Sequence, residues 1–277
     1  MTQLPEVEVL RRDLEKEVVG KRIKEVWLSP AELVKRHGTI KDFTAALGEA
    51  KITSLNRRGL LLLMGLDTDM TLVIVPGSRA RITKETAKEG RSEFTRMTMS
   101  FSTGGSLHYH DLVPDGELFI VDTESVRDIE ELQSLGMDPL AEPIPWPVFS
   151  QALTARKDML KAIMSDDTFV VGLGQVYSDE ILFEAGLAPD RGSATLSSQE
   201  VRRLHRSILE VVYEAIKQGG TDQTPADPSI GFTPYAEVAH LKIYDRAGQP
   251  DTRSRAIIEH TKFRKGVSGF HSPRTQT

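Results

Sequence analysis

The segment at residues 172–191, GLGQVYSDEILFEAGLAPDR, carries the most specific pattern in the chain. Two glycines, Gly172 and Gly174, stand directly before apolar residues that recur from Val176 to Phe183 at the spacing of a helix. Glycine permits backbone conformations and close approaches that other residues do not, so N–H groups at such a turn can reach an anion. The segment therefore predicts a tight turn followed by a helix. Either this motif only packs as a helix–turn–helix, or its backbone N–H groups also contact a phosphate.

Helical patterns lie on both sides of this segment. Apolar residues recur at helical spacing over 148–165 and again over 197–217. The second pattern begins at Ser197, and Glu200 three residues later makes a capping box. We therefore predict that residues 148–217 are mostly helical.

The N-terminal half has a different pattern. Residues 5–19 are amphipathic at helical spacing, and short β-rich runs between turns follow at 22–29, 51–56, 60–66 and 71–75. Met97, Met99 and Phe101 alternate with polar residues before a turn at 103–105, and the strands SLHYH and ELFIV follow. This half is predicted to be a mostly antiparallel sheet region with one leading helix, ending near residue 125.

The order of these patterns gives the predicted domain organisation, within an α+β fold. We expect a β-rich domain at 1–130, a proline-rich linker at 131–147, a helical domain at 148–225 and a small β tail at 226–277.

Composition narrows the class of protein. The 277 residues are 39% hydrophobic and 27% charged, which is typical of a globular chain rather than a disordered or membrane protein. The first residues are acidic and lack a signal sequence, so we expect a cytoplasmic protein. No cysteine is present, which excludes disulfides, a thiolate nucleophile and cysteine-ligated zinc. The net charge is −5, and the tail from residue 226 onward is basic.

Three segments together resemble the formamidopyrimidine-DNA glycosylase / endonuclease VIII (Fpg/Nei) family. They are LPEVEVLRRDL at 4–14, NRRGLLLLMGL at 56–66, and the segment at 172–191. The resemblance implies an N-terminal β-sandwich with a leading helix, a helix–two-turn–helix domain, and a β-hairpin finger with or without zinc. It also implies double-stranded DNA, including damaged duplex, as the partner.

The catalytic positions of the family are changed. The resemblance implies an N-terminal proline nucleophile, an adjacent glutamate for proton transfer and an assisting lysine. The matching positions here are Thr2, Gln3 and Leu60. An amide does not donate a proton as a carboxylic acid does, and leucine carries no charge. We therefore expect the family's proline-dependent glycosylase and lyase reaction to be absent.

Two loops that insert side chains into DNA in the family are also altered. They correspond to residues 75–82 and 111–116, with Pro76, Pro114 and Asp115 at the inserting positions. Asp115 would repel a phosphate-rich duplex.

The finger lacks the family's zinc ligands. The first cysteine pair corresponds to Asp251 and Ser254, and the second falls within residues 271–275. The finger arginine falls on Gly266 or Val267. The seven histidines match no metal-ligand spacing in the sequence, and the adjacent acids Asp179 and Glu180 are expected to face solvent or cap a helix. We therefore predict a zincless finger and neither a metal nor a cofactor.

The resemblance also implies contacts to the DNA backbone at other positions, and such contacts supply affinity rather than sequence recognition. The predicted DNA-binding residues are Arg58, Arg96, Lys161, Gly172, Gly174, Gln175, Lys242, Tyr244, Arg264 and Lys265.

Three functions stay open on the sequence alone. The first is a DNA-binding protein that does not cut. The second is an active glycosylase in which the Thr2 amine or water attacks an unusual adduct. The third is a protein-interaction module that no longer binds DNA, which the acidic net charge and Asp115 would favour.

Overall fold

A computed structural model describes residues 3–37, 39–78, 80–85, 90–113, 115–221 and 238–277. Contacts divide the chain into two units. Of the described residues, the first unit holds 6–133, and the second holds 3–5, 134–221 and 238–277.

The first unit contains two four-stranded antiparallel sheets. Its helices are α1 (Leu4–Val18), α2 (Ile40–Leu47) and α3 (Glu130–Gln133). Its strands are β1 (Ile23–Leu28), β2 (Ile52–Arg58), β3 (Leu61–Leu66), β4 (Met70–Val75), β5 (Ala80–Glu85), β6 (Thr95–Phe101), β7 (Ser106–Asp111) and β8 (Glu117–Asp122). One sheet has the order β1-β6-β7-β5, and the other has the order β2-β3-β4-β8.

Both sheets contribute to one apolar core, as a β-sandwich requires. Met64 and Leu72 of the second sheet and Met99 and Leu107 of the first belong to a single buried cluster. Helix α1 adds its apolar side to this cluster, including Val7. Side chains alternate between the two faces of a strand, so the intervening residues point away from the shared core. The predicted sandwich with its leading helix is confirmed.

The second unit is helical and ends in a β-hairpin. Its helices are α4 (Trp146–Arg156), α5 (Leu160–Met164), α6 (Gly174–Ala185) and α7 (Ser198–Lys217), and its strands are β9 (Glu259–Arg264) and β10 (Val267–His271). The capping box at the start of α7 is present. The Ser197 side chain accepts from the Glu200 backbone N–H, and the Glu200 side chain accepts from the Ser197 backbone N–H. No helix among the described residues is both long and apolar enough to span a bilayer.

The structure differs from the predicted elements in several places. The helix expected over 148–165 is broken, because Lys157 takes a left-handed conformation with φ of 49° between α4 and α5. The predicted boundary between the β-rich domain and the linker, at 130/131, lies within a helical segment, a 3-10 turn at Thr123–Asp128 followed by the short α3. Strand β5 was not predicted, since its sequence ARITKE lacks an alternating apolar pattern.

Candidate nucleic-acid interface

The turn before α6 is formed by two glycines in the left-handed region. Gly172 has φ of 71° and Gly174 has φ of 54°, which other residues adopt only with strain. The N–H of Gly172 donates to the Asp167 carboxylate over 2.8 Å. This N–H therefore has a protein acceptor, and the predicted phosphate contact is corrected for Gly172. Gln175 follows in the first turn of α6 and is half-buried.

Gln3 is built into the same turn. Its side chain is only 2% exposed, and its Oε1 accepts from the backbone N–H of Tyr177 at 3.5 Å. A Cβ atom at position 174 would lie 2.8 Å from that oxygen, so Gly174 is also needed for the close approach of Gln3. The residue at the family's acid position is thus a neutral amide held against the start of α6. Thr2 lies outside the described residues.

Lys161 is buried, which contradicts the DNA contact predicted for it. Neither Lys161 nor Asp179 has an exposed side-chain atom. The Lys161 Nζ donates to Asp179 Oδ1 at 2.6 Å, to Ser178 Oγ at 2.7 Å and to the Gln175 carbonyl at 2.9 Å. A fully enclosed ammonium does not contact a phosphate, so Lys161 is corrected to a structural residue. Burial raises the pKa of Asp179 to about 7, although the Lys161 ammonium opposes that rise.

Asp179 and Glu180 join α6 to the C-terminal tail. Asp179 Oδ2 accepts from the Phe270 N–H of β10 at 2.9 Å. The Glu180 carboxylate accepts three consecutive backbone N–H groups, those of residues 242, 243 and 244, at 2.8–2.9 Å. Both acids are therefore buried acceptors rather than solvent-facing groups, and that expectation was wrong. The only signal in the sequence was their place inside an apolar helix.

The remaining predicted contacts in the second unit lie at or near its surface. Arg264 is exposed and forms a two-bond ion pair with Asp158, at 2.7 and 2.9 Å. Lys265, next to it at the tip of the hairpin, is also exposed. Lys242 is exposed and pairs with Glu184 at 2.7 Å, while Tyr244 packs edge-on against Phe270. Exposed cations thus stand on the hairpin and on the tail segment before it.

The first unit holds the other two predicted cations. Arg58 is exposed at the end of β2. Arg96 is half-buried in β6, and its guanidinium donates to the Glu93 carbonyl at 3.2 Å. Leu60 is half-buried and packs against the core of this unit.

The loops at the two DNA-inserting positions hydrogen-bond to each other. The Ser78 N–H donates to Asp115 at 2.8 Å, and the Gly77 N–H donates to the Tyr109 hydroxyl at 3.2 Å. Gly116 in turn donates to Asp111 at 3.1 Å. Burial raises the pKa of Asp111, and the nearby Asp115 charge adds to the rise. Asp115 is exposed, as the predicted repulsion of phosphates requires, whereas Pro114 lies outside the described residues.

A carboxylate–hydroxyl cluster occupies the positions of the expected zinc ligands. Asp251 has no exposed surface, and its carboxylate accepts from the hydroxyls of Ser254 at 2.5 Å and Thr275 at 3.1 Å, and also from that of Ser272. The spacing Asp-x-x-Ser and Ser-x-x-Thr repeats that of two Cys-x-x-Cys pairs. The second pair, left within 271–275 by the sequence, is therefore Ser272 and Thr275. His271 instead forms a hydrogen bond between its Nε2 and the Thr261 hydroxyl.

Backbone groups complete the coordination of this carboxylate. The N–H groups of Arg253 and Ser254 each donate to Asp251 Oδ1 over 2.6 Å. Burial alone would raise the pKa of Asp251, but the hydroxyl and N–H donors outweigh it and hold that pKa below its usual range. One anion with five donors thus links the segment before β9 to the segment after β10.

Replacing Asp251 by asparagine is expected to destabilise this region by about 2–3 kcal/mol, because an NH2 group would face hydroxyls that now donate to a charged oxygen. The measurement is urea unfolding, with Asp245→Asn, an exposed acid in the same tail, as the matched control. Equal midpoints for the two variants would contradict the prediction. A carboxyl with a lowered folded pKa stabilises above its unfolded pKa, so the difference from wild type should shrink as the pH falls below about 4.

Known proteins match this chain along its whole length. The N-terminal domain of formamidopyrimidine-DNA glycosylase matches residues 1–114, and its H2TH domain matches residues 135–226. The formamidopyrimidine-DNA glycosylase of Heliobacterium modesticaldum is 35% identical over 283 residues, and that of Geobacillus kaustophilus is 31% identical over 276. Each of these alignments covers 100% of both chains.

Solved structures agree. A complex between Lactococcus lactis Fpg and DNA containing an abasic site superposes with a TM-score of 0.89 at 27% identity, and the match covers 99% of each chain. A second complex, between an Fpg mutant of the same organism and DNA containing Fapy-dG, gives the same TM-score at 26% identity. Domain matches, full-length relatives and fold lead to one conclusion: the chain belongs to the formamidopyrimidine-DNA glycosylase / endonuclease VIII family.

Proposed function

We propose that this protein binds double-stranded DNA, damaged duplex in particular, in base-excision repair, without the family's proline-dependent glycosylase and lyase reaction. The observation that carries the proposal is Gln3. Its side chain packs closely against the start of α6, and it is an amide where the resemblance implies an acid. The scaffold is therefore present while the proton donor is not.

DNA binding is supported by the family and by the distribution of exposed cations. Relatives that match nearly the full chain have been solved with abasic DNA. Arg58 in the first unit, and Lys242, Arg264 and Lys265 in the second, are exposed cations at positions that match backbone contacts in the family. Such cations bind phosphates by charge and hydrogen bonding and release counterions.

The finger in this proposal is held without zinc. The Asp251 cluster places a buried anion where four cysteine thiolates would surround a cation in a zinc finger. Its donors are hydroxyl and N–H groups, which saturate the carboxylate. The Asp251 carboxylate is therefore suited to accepting these hydrogen bonds rather than to binding a metal ion.

Duplex affinity is expected to fall steeply with salt concentration, and Lys265→Ala should weaken binding to every duplex about equally. Loss of one phosphate contact should reduce the slope of log K against log salt by about 1. The measurement is fluorescence anisotropy with an undamaged duplex and one carrying a non-cleavable abasic analogue.

Arg206→Ala is the matched control, because Arg206 is an exposed cation on α7 that is not among the predicted contacts. Its affinity and salt slope should equal those of the wild type. Failure of the wild-type protein to bind either duplex at low salt would refute the proposal and favour a protein-interaction module. Identical slopes for Lys265→Ala and wild type would remove the finger from the interface.

A further inference from the structure

A polar cluster lies on the outer face of the first sheet, away from the core. Strands β5 and β7 pair antiparallel, with Thr83 opposite His108 and Glu85 opposite Ser106. Residues two apart on a strand share a face, so His108 and His110 point to the same side. The residue between them, Tyr109, points into the shared core. Both histidines are nonetheless buried, at 3% and 4% exposure.

Three potential ligand atoms converge in this cluster. One atom each from Glu85, His108 and His110 lies within 4.8 Å of the other two. Three points so separated have a common centre about 2.8 Å or less from each, whereas metal–nitrogen and metal–oxygen bonds are about 2.0–2.2 Å. Shifts of about 0.7 Å in these atoms would therefore bring all three to bonding distance.

Hydroxyl groups surround the imidazoles in the way that outer partners orient metal-binding histidines. His110 Nδ1 lies 3.2 Å from Thr95 Oγ1 and 3.3 Å from Ser92 Oγ, and either oxygen can accept its proton. With the proton on Nδ1, the lone pair is on Nε2, which lies 3.0 Å from Thr83 Oγ1. Because the Thr83 hydroxyl gives its one proton to Glu85, Nε2 of the metal-free imidazole donates to Thr83, and the proton moves to Nδ1 when an ion binds. The same Thr83 hydroxyl donates to Glu85 at 2.8 Å, so it stands between two of the three candidate ligands.

We propose that Glu85, His108 and His110 form a binding site for one divalent transition-metal ion of the zinc class, on the outer face of β5 and β7. Two imidazoles and one carboxylate suit zinc, cobalt or nickel, whereas calcium and magnesium take mostly oxygen ligands. On binding, the ion takes the place of the Thr83 hydroxyl between the imidazole and the carboxylate, and the His110 proton resides on Nδ1. Three protein ligands leave a coordination position for water.

The proposal differs from the sequence-based expectation that the histidines match no metal-ligand spacing. The sequence shows only His108 and His110 two residues apart, and the third ligand comes from β5, a strand that was not predicted. The site is independent of the proposed DNA binding and of the finger. Nothing in the argument uses the proton transfer or phosphate contacts of the proposed function.

The test is titration of chelator-treated protein with Co²⁺, whose visible d–d absorption reports coordination, followed by displacement with Zn²⁺. We expect one equivalent to bind to the wild type. Glu85→Gln should weaken binding more than the ~10–100-fold typical of losing an outer-shell partner, and His110→Gln should abolish the absorption. Zn²⁺ should also raise the unfolding midpoint of the wild type but not of His110→Gln.

The matched control is His205→Gln, because His205 is half-buried in the other unit and contacts the Ile144 carbonyl. It should bind Co²⁺ like the wild type. Glu85 is only half-buried, so its variant keeps the proposal testable if a histidine variant does not fold. Absence of Co²⁺ absorption in the wild type, or one-equivalent binding that survives Glu85→Gln and His110→Gln unchanged, would overturn the proposal.

Discussion

When this protein is incubated with borohydride and duplexes that carry an abasic site or an oxidised purine, we expect the DNA to stay uncut and to form no covalent adduct with the protein. Borohydride reduces a Schiff base between an amine and the sugar to a stable adduct, so trapping reports the covalent step. We expect no adduct and a cleavage rate near background.

The expected effect is large because several contributions are missing together. General acid–base catalysis is worth about 10²- to 10⁴-fold, and covalent catalysis adds to it. Gln3 accepts from the Tyr177 N–H through its Oε1, and the protons of its neutral amide group do not titrate near pH 7, so it cannot act as the general acid. Leu60 packs into the core of the first unit and supplies no charge. The combined loss relative to an intact site is therefore about 10⁴-fold or more.

Two measurements make this result decisive. Mass spectrometry of the mature N-terminus shows whether Thr2 carries a free amine, and trapping on the same protein shows whether that amine reacts. The double variant Thr2→Pro and Gln3→Glu is expected to remain inactive, because Pro76 and Asp115 still occupy the positions that hold a flipped base out. A borohydride-stable adduct at Thr2 with strand scission would establish an active, rebuilt site instead.

Local patterns predicted the parts of the fold that depend on local physics. The helix at 5–19, observed as α1, and the capping box of α7 follow from apolar spacing and from donors within three residues. Strand β5 could not be found this way, because it is stabilised by pairing with β7 about 25 residues later, and its own side chains are mostly polar. The cluster of Glu85, His108 and His110 depends on the same long-range pairing, so it was not predicted from the sequence either.

The site residues show the same division. The resemblance to the family predicted a DNA contact for Lys161, and an isolated lysine is rarely buried. Its burial depends on Asp179, eighteen residues away on another helix, which no spacing rule identifies. In the finger, the sequence located Asp251 and Ser254 but left the second pair within five residues. The structure identifies the second pair as Ser272 and Thr275, because their hydroxyls are the ones that donate to the Asp251 carboxylate.

Lys161→Met is expected to lower the free energy of unfolding by about 3–5 kcal/mol, because it leaves the Asp179 carboxylate buried without its cation. The effect should extend to the finger, since the same carboxylate accepts from the Phe270 N–H. Urea unfolding measures the loss. The matched control is Arg264→Ala, which breaks the exposed pair with Asp158 and should cost no more than about 1 kcal/mol.

The pH dependence of the free energy of unfolding distinguishes a buried Lys161–Asp179 ion pair from a DNA contact of Lys161. Burial raises the pKa of Asp179 to about 7 even beside Lys161, and loss of that ammonium should raise the pKa further. A raised folded pKa contributes stability at low pH that is lost as the pH rises through it. Below about pH 7 both proteins hold the proton, so the deficit relative to wild type should be nearly constant there and should grow from about pH 7 upward.

A second variant keeps the test valid if Lys161→Met fails to fold. Lys161→Met combined with Asp179→Leu removes both charges, and it should recover part of the loss, since a buried pair can be replaced by apolar groups at little cost. The folded protein should bind duplex with an unchanged salt slope, because an enclosed ammonium neutralises no phosphate. A flatter slope without loss of stability would instead return Lys161 to the DNA interface and refute the structural role that its three buried hydrogen bonds indicate.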